Sequence, residues 1–223
     1  FRIIRRLLTL VNNFPLNLGI LASHEGTNLQ VILDACNQKT INASVSVVIS
    51  NNSASRALKR ARQSNVLGLH MSKMTHFNEE KLDIAITEIM KSNQVNLILL
   101  AGYMKKIGPS LLNQYKNRII NSHPSLLPFY SGQGMFGDLV HQAVIENKEE
   151  FSGITLHLVD HDYDHGPKIA QKTVKVLPND DIISLKKRIQ FIEHQFWIET
   201  LQKISQKEID LDVVGLEKES FQV

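Results

Sequence analysis

The sequence predicts an α/β fold: a Rossmann-like, open, mostly parallel twisted sheet with helices on both faces. Three observations carry this expectation. Strand-like and helix-like segments alternate from Leu16 to Ala101, the pattern of parallel strands joined by crossover helices. Val95 to Ala101 is a nearly continuous apolar run, as expected of a strand covered on both faces. The first strand-like segment passes through a small-residue turn directly into a helix, the arrangement that places a ligand at a helix N-terminus.

Taken in order, Leu16 to Ala22 (LNLGILA) reads as a buried strand that enters the turn Ser23-His24-Glu25-Gly26. In the segment after it, Leu29, Ile32, Leu33 and Cys36 stand at i, i+3, i+4 and i+7 on one helix face. Thr27 or Asn28 is the expected cap of that helix. Ala43 to Ser50 is rich in Val and Ile and reads as a second strand. A helix is expected over 54–64 and a short strand over 67–71. Leu82, Ala85, Ile86, Ile89 and Met90 give helical spacing within 78–92. Val95 to Ala101 and Arg118 to Asn121 are the next strands, and His123 to Gly137 is a loop containing Pro and Gly. A helix around 139–146 precedes strands at 154–159 and 168–176. The last strong element is a helix over 181–205, with Ile182, Leu185, Ile189, Ile192 and Phe196 in one stripe. The expected division is a leader over 1–15, one domain over 16–210 and a loosely patterned tail over 211–223.

Composition narrows the function. The 223 residues are 43% hydrophobic and 21% charged, ordinary values for one globular domain. A single cysteine excludes a disulfide framework and a Cys-based zinc site. No apolar run approaches the roughly 18–20 residues of a membrane span. A net charge of +3 is too small for a dedicated nucleic-acid protein. The start carries Arg2, Arg5 and Arg6 and no acidic residue before Glu25. That is the pattern of an organelle transit peptide or its remnant, with a flexible leader or misassigned start as the plainer alternative. No secretory signal is present, so a reducing, cytoplasmic location is expected, with an organelle as the other option.

Three segments carry chemistry. The loop Ser23 to Asn28 presents backbone N–H groups at the start of a helix and suits a phosphate. It is neither GxGxxG nor a Walker loop, and a plain helix cap is its other reading. In NSHPSLLP (121–128), Asn121 and His123 lie two residues apart in extended chain, so they project from one side at a strand's carboxyl end. Pro124 keeps His123 out of the α region. An amide beside an imidazole suits the stabilisation of a developing oxyanion while a proton moves. In HLVDHDYDHGP (157–167), three histidines and three aspartates admit a divalent metal, or a carboxylate that orients an imidazole. HExxH is absent, and the loop offers no helix for i, i+4 ligands.

Together these pieces resemble the phosphoribosylglycinamide formyltransferases, folate-dependent enzymes of purine synthesis. The likeness runs from about Leu18 to Ile204. It is carried by ASHEGTNLQ, VISN, LAGYMKKIGPSLL, RIINSHPSLLP, VHQAV, SGITLHLVDHDYDHGPKIAQ and RIQFIEHQFW. The resemblance implies that Gly26, Thr27 and Asn28 bind the phosphate of glycinamide ribonucleotide. It implies that Met104, Lys105, Lys106 and Ile107, with Asn121, line the pocket for 10-formyltetrahydrofolate, largely through backbone groups. Asn121, His123 and Asp164 would be the catalytic set and Glu193 a substrate contact, with no metal. The implied partners are the two small-molecule substrates, with no nucleic acid and no membrane, in a monomer or homodimer. His24 and Glu25 depart from the family's loop, where Gly and often Asn stand; Glu25 repels a phosphate unless it points outward. Related folate enzymes that hydrolyse the formyl donor, and a non-catalytic nucleotide-binding module, are the rival expectations.

Overall fold

The computed structural model describes residues 15–217. The expected leader therefore lies almost wholly outside the described residues, as does the end of the tail. Seven strands are described: β1 (Leu16–Ala22), β2 (Ala43–Ser50), β3 (Leu67–His70), β4 (Leu97–Leu100), β5 (Ile119–His123), β6 (Phe151–Leu158) and β7 (Lys168–Lys175). They form one sheet in the order β3-β2-β1-β4-β5-β6-β7. The five strands from β3 to β5 are parallel. β6 and β7 are antiparallel to their neighbours. The helices are α1 (Thr27–Asn37), α2 (Arg56–Gln63), α3 (Lys73–His76), α4 (Glu79–Ser92), α5 (Pro109–Gln114), α6 (Asp138–Glu146), α7 (Ile182–Ser205) and α8 (Leu211–Glu217).

The apolar strands explain the layering. Side chains alternate across a strand, so Leu97 and Leu99 of β4 face one core while Ile98 and Leu100 face the other. On the first face lie Leu29, Ile32 and Leu33 of α1 and Leu185, Ile189, Trp197 and Leu201 of α7. On the second lie Ile86 and Met90 of α4 and Leu111 and Leu112 of α5. α5 begins at Pro109, and its first free N–H groups are taken by a side chain of α4: Ser110 N donates to Asp83 Oδ2 at 2.7 Å, and Leu111 N to Oδ1 at 3.2 Å. That external cap compensates for a helix of only six residues. Leu211 of α8 is buried in the first core, so residues 211–217 are helical although their own apolar pattern is faint.

β5 runs two residues further than the sequence indicates, and the reason is its antiparallel partner. Asn121 pairs with His157 and His123 with Thr155, which holds the chain extended through His123. From β1 the chain moves outward through β2 and β3; from β4 it moves the other way through β5. The carboxyl ends of β1 and β4 therefore flank the point where the strand order reverses, the place where open α/β sheets bind ligands.

Trp197 is fully buried on α7 between the helices and the sheet. Trp197→Ala should cost about 3–5 kcal/mol of unfolding free energy, read as a lowered urea midpoint.

Candidate active site

The turn after β1 is fixed by the ends of two neighbouring strands. Ser23 N donates to Gly102 O at 3.0 Å. The Ser23 hydroxyl donates to Asn51 Oδ1 at 2.6 Å and accepts from Met104 N at 2.8 Å. Gly26 then takes a left-handed conformation, with φ 66, as the N-cap of α1. A Cβ there would lie 2.9 Å from the Ala57 Cα and Cβ, so both the conformation and the close approach of α2 require glycine. No side chain caps α1. The expected cap by Thr27 or Asn28 does not form because both side chains turn to α7. Gln190 Nε2 donates to Thr27 Oγ1 at 2.9 Å, and Asn28 Nδ2 donates to Glu193 Oε1 at 2.9 Å. The first turn of α1 thus faces the cleft with its positive dipole end, an anion site in physical terms.

Glu25 is held away from that end. Its carboxylate pairs with Arg56 at 2.9 Å, both groups being largely exposed, and its carbonyl accepts from Arg60 Nε at 2.9 Å. α2 therefore clamps the turn from outside, and Ala57 N adds a bond to His24 O at 3.1 Å.

Across the cleft, the two separate motifs meet. Asp164, itself at φ 58, sits in a tight return after β6. Gly166 makes that return possible, since a Cβ there would lie 1.7 Å from the Leu158 carbonyl oxygen. One Asp164 oxygen faces His123 Nδ1 at 3.4 Å and accepts from Gly132 N at 3.2 Å. The other accepts from Asn121 Nδ2 at 3.3 Å and faces His157 Nε2 at 3.5 Å. Burial pushes this carboxyl up, but the hydrogen bonds and charges of His123 and His157 outweigh it. The net effect holds Asp164 well below the usual carboxylate range. His123 is 3% exposed, and its Nε2 faces the Tyr130 carbonyl at 2.7 Å. Both ring nitrogens thus face oxygen acceptors. His157 Nδ1 lies 2.8 Å from its neighbouring carbonyl, Leu158 O, and its Nε2 lies 3.1 Å from Asn121 Nδ2.

Asn121, His123, Gly132 and Asp164 line one cavity of 500 Å³ with Gly26, Thr27, Asn28, Gln190 and Glu193. Burial raises the Glu193 carboxyl above its ordinary value, more than its polar neighbours Ser122, Asn28 and Trp197 lower it. Of the segment Met104 to Ile107, only Met104 lines the cavity, and its N–H is already bonded to Ser23. Ile107 is buried in the second core. Lys105 and Lys106 are exposed, the latter 5.7 Å from the Tyr163 ring. His161 and His165 are exposed too. Among the described residues no cluster of His, Cys, Asp or Glu is arranged to hold a metal ion. No described helix is long and apolar enough to cross a membrane.

Sequence reading missed Gln190 and Lys186, which line the cavity. They precede Glu193 by one and two turns of α7, so helical spacing from that glutamate would have found them. His157 was visible but shared its segment with a metal reading. His141 of α6, 3% exposed, is also in the wall. Burial is the main cause that lowers its imidazole from 6.5 to about 4. Its stabilising contribution is whole above about pH 6.5 and is lost as the pH falls toward 4, because the unfolded chain takes up that proton first. That amounts to about 3 kcal/mol. In urea titrations, His141→Gln should therefore narrow the stability gap between pH 7 and pH 4 by about that much.

The profile of the formyl transferase family matches residues 16–201. The phosphoribosylglycinamide formyltransferase of Haemophilus influenzae is 35% identical over 180 residues, covering 81% of this chain and 82% of that protein. The chloroplastic phosphoribosylglycinamide formyltransferase of Arabidopsis thaliana is 32% identical, covering 86% of this chain; the chain spans 66% of that relative's length. The crystal structure of glycinamide ribonucleotide transformylase 1 from Symbiobacterium toebii superposes with a TM-score of 0.81 at 35% identity. That match covers 86% of this chain and 88% of the other. The matched span contains the turn at Gly26, the Asn121–His123–Asp164 cluster and Glu193, and the chain belongs to the formyl transferase family.

Proposed function

We propose that the protein transfers the formyl group of 10-formyltetrahydrofolate to the amine of glycinamide ribonucleotide, a step of purine biosynthesis. The observation that carries this reading is the meeting of Asn121, His123 and Asp164 in the cavity that also receives the uncapped start of α1. The names of the relatives support the same choice of substrate. A phosphate docks on the N–H groups of Thr27 and Asn28 beside Gly26, assisted by Gln190. The ribonucleotide amine lies toward Glu193. The formyl donor enters along Tyr103 and Met104, with Lys105, Lys106 and Ile107 behind that wall and at its rim. A cavity of 500 Å³ is within the usual range for small-molecule sites.

The amine attacks the formyl carbon, and negative charge develops on the formyl oxygen. Asn121 donates to that oxygen by giving up its contact to Asp164, which at 3.3 Å is longer than its 3.1 Å contact to His157. His123, braced between Asp164 and the Tyr130 carbonyl, supplies positive charge beside the oxyanion and the proton for the departing N10. Asp164 remains ionised in this reading, which its depressed carboxyl favours. Holding two substrates in register supplies much of the remaining acceleration. The proton that the amine loses replaces the one that His123 gives to N10, so the protons balance and the transfer needs no redox partner.

The test is an assay that mixes 10-formyltetrahydrofolate with glycinamide ribonucleotide. Formyl transfer supports the reading; release of formate without the ribonucleotide indicates a hydrolase, and silence a binding module. Asp164→Asn keeps the left-handed turn, which Asn tolerates, and should fold normally. Its kcat should fall by about 10²-fold or more. Turnover close to wild type would remove the carboxylate from the mechanism.

A further inference from the structure

We propose that Lys186 is a phosphate-binding and specificity residue of this site, drawn from its ion pair with Asp138 when the substrate arrives. The proposal rests on the ribonucleotide reading and adds a cation to it. Lys186 is the one Lys or Arg on the cavity wall among the described residues. Of the acidic residues there, Glu25 is held outward by Arg56, and Asp164 and Glu193 remain. A phosphate that enters such a wall needs a positive partner as well as backbone N–H groups.

The register of the two helices puts Lys186 in the right place. Asn28 of α1 bonds Glu193 of α7, and Thr27, one residue earlier, bonds Gln190, about one turn earlier. Continuing one more step leads off the end of α1 on one helix and to Lys186 on the other. Lys186 and Gln190 are four residues apart on one face, about 6 Å along the helix axis. A phosphate on the first turn of α1 would therefore meet the face of α7 that carries Lys186, whose four-carbon side chain also lines the cavity.

The partner of Lys186 also fits an exchange. Lys186 Nζ meets Asp138 Oδ1 at 2.6 Å, and the two side chains are 47% and 63% exposed. An ion pair that wet is weakly held. A phosphate dianion docked against a helix N-terminus is the stronger partner. Asp138 opens α6 next to Gly137, at the end of the glycine-containing segment that forms the facing wall. The exchange releases that carboxylate rather than leaving a buried charge alone.

Calorimetric titration of wild type and Lys186→Met with glycinamide ribonucleotide, and separately with tetrahydrofolate, tests this. Lys186→Met should bind the ribonucleotide about tenfold more weakly and tetrahydrofolate as wild type does. Equal ribonucleotide affinity in the two proteins would overturn the assignment, and so would a parallel loss for both ligands, the mark of a structural role. If wild type binds no ribonucleotide, the substrate reading falls and the lysine assignment falls with it.

Discussion

The site depends on one largely buried carboxylate receiving four contacts from three parts of the chain. Asp164 gathers Asn121 and His123 from β5, His157 from β6 and the Gly132 amide from the loop before α6. Remove that centre and each of the four groups loses a partner. Its placement is itself a consequence of backbone geometry. The chain leaving β6 must double back beside its own strand, and only a residue without a Cβ fits at Gly166 against the Leu158 carbonyl. The chemistry at Asn121 therefore begins with the steric demand of a turn two residues past the carboxylate.

The sheet supplies the second constraint. Parallel pairing of β4 with β5 delivers the end of β5 to the reversal point, and antiparallel pairing of β5 with β6 sets His157 beside Asn121. A fully parallel sheet would have met the first need and not the second. The mixed architecture thus has a local purpose: it brings a second imidazole to the amide and defines which of its atoms faces inward.

Much of this was legible in the residues. Long apolar runs and clear helical stripes gave the core elements, since burial on two faces leaves a strong pattern. The convergence of NSHPSLLP with the D-x-G-P segment came from resemblance, because no local pattern reports that residues 43 positions apart touch. What stayed hidden were features decided by partners. The extension of β5 to His123 depends on β6, the six residues of α5 depend on Asp83, and the helix at 211–217 depends on the core that Leu211 enters. The segment Met104 to Ile107 shows the converse. Its family likeness marks it as one unit, yet the fold divides it between a cavity wall, two exposed lysines and a core position.

The pair Glu25–Arg56 has a consequence for anyone who would move this turn to another scaffold. An acid next to an anion site is tolerable here because a guanidinium from a different helix holds it outward. The nine-letter string around Gly26 is therefore not a portable module. Grafted without α2, it would carry an unrestrained negative charge to the mouth of the site it is meant to build. Its partner, 31 positions downstream, belongs to the same functional unit.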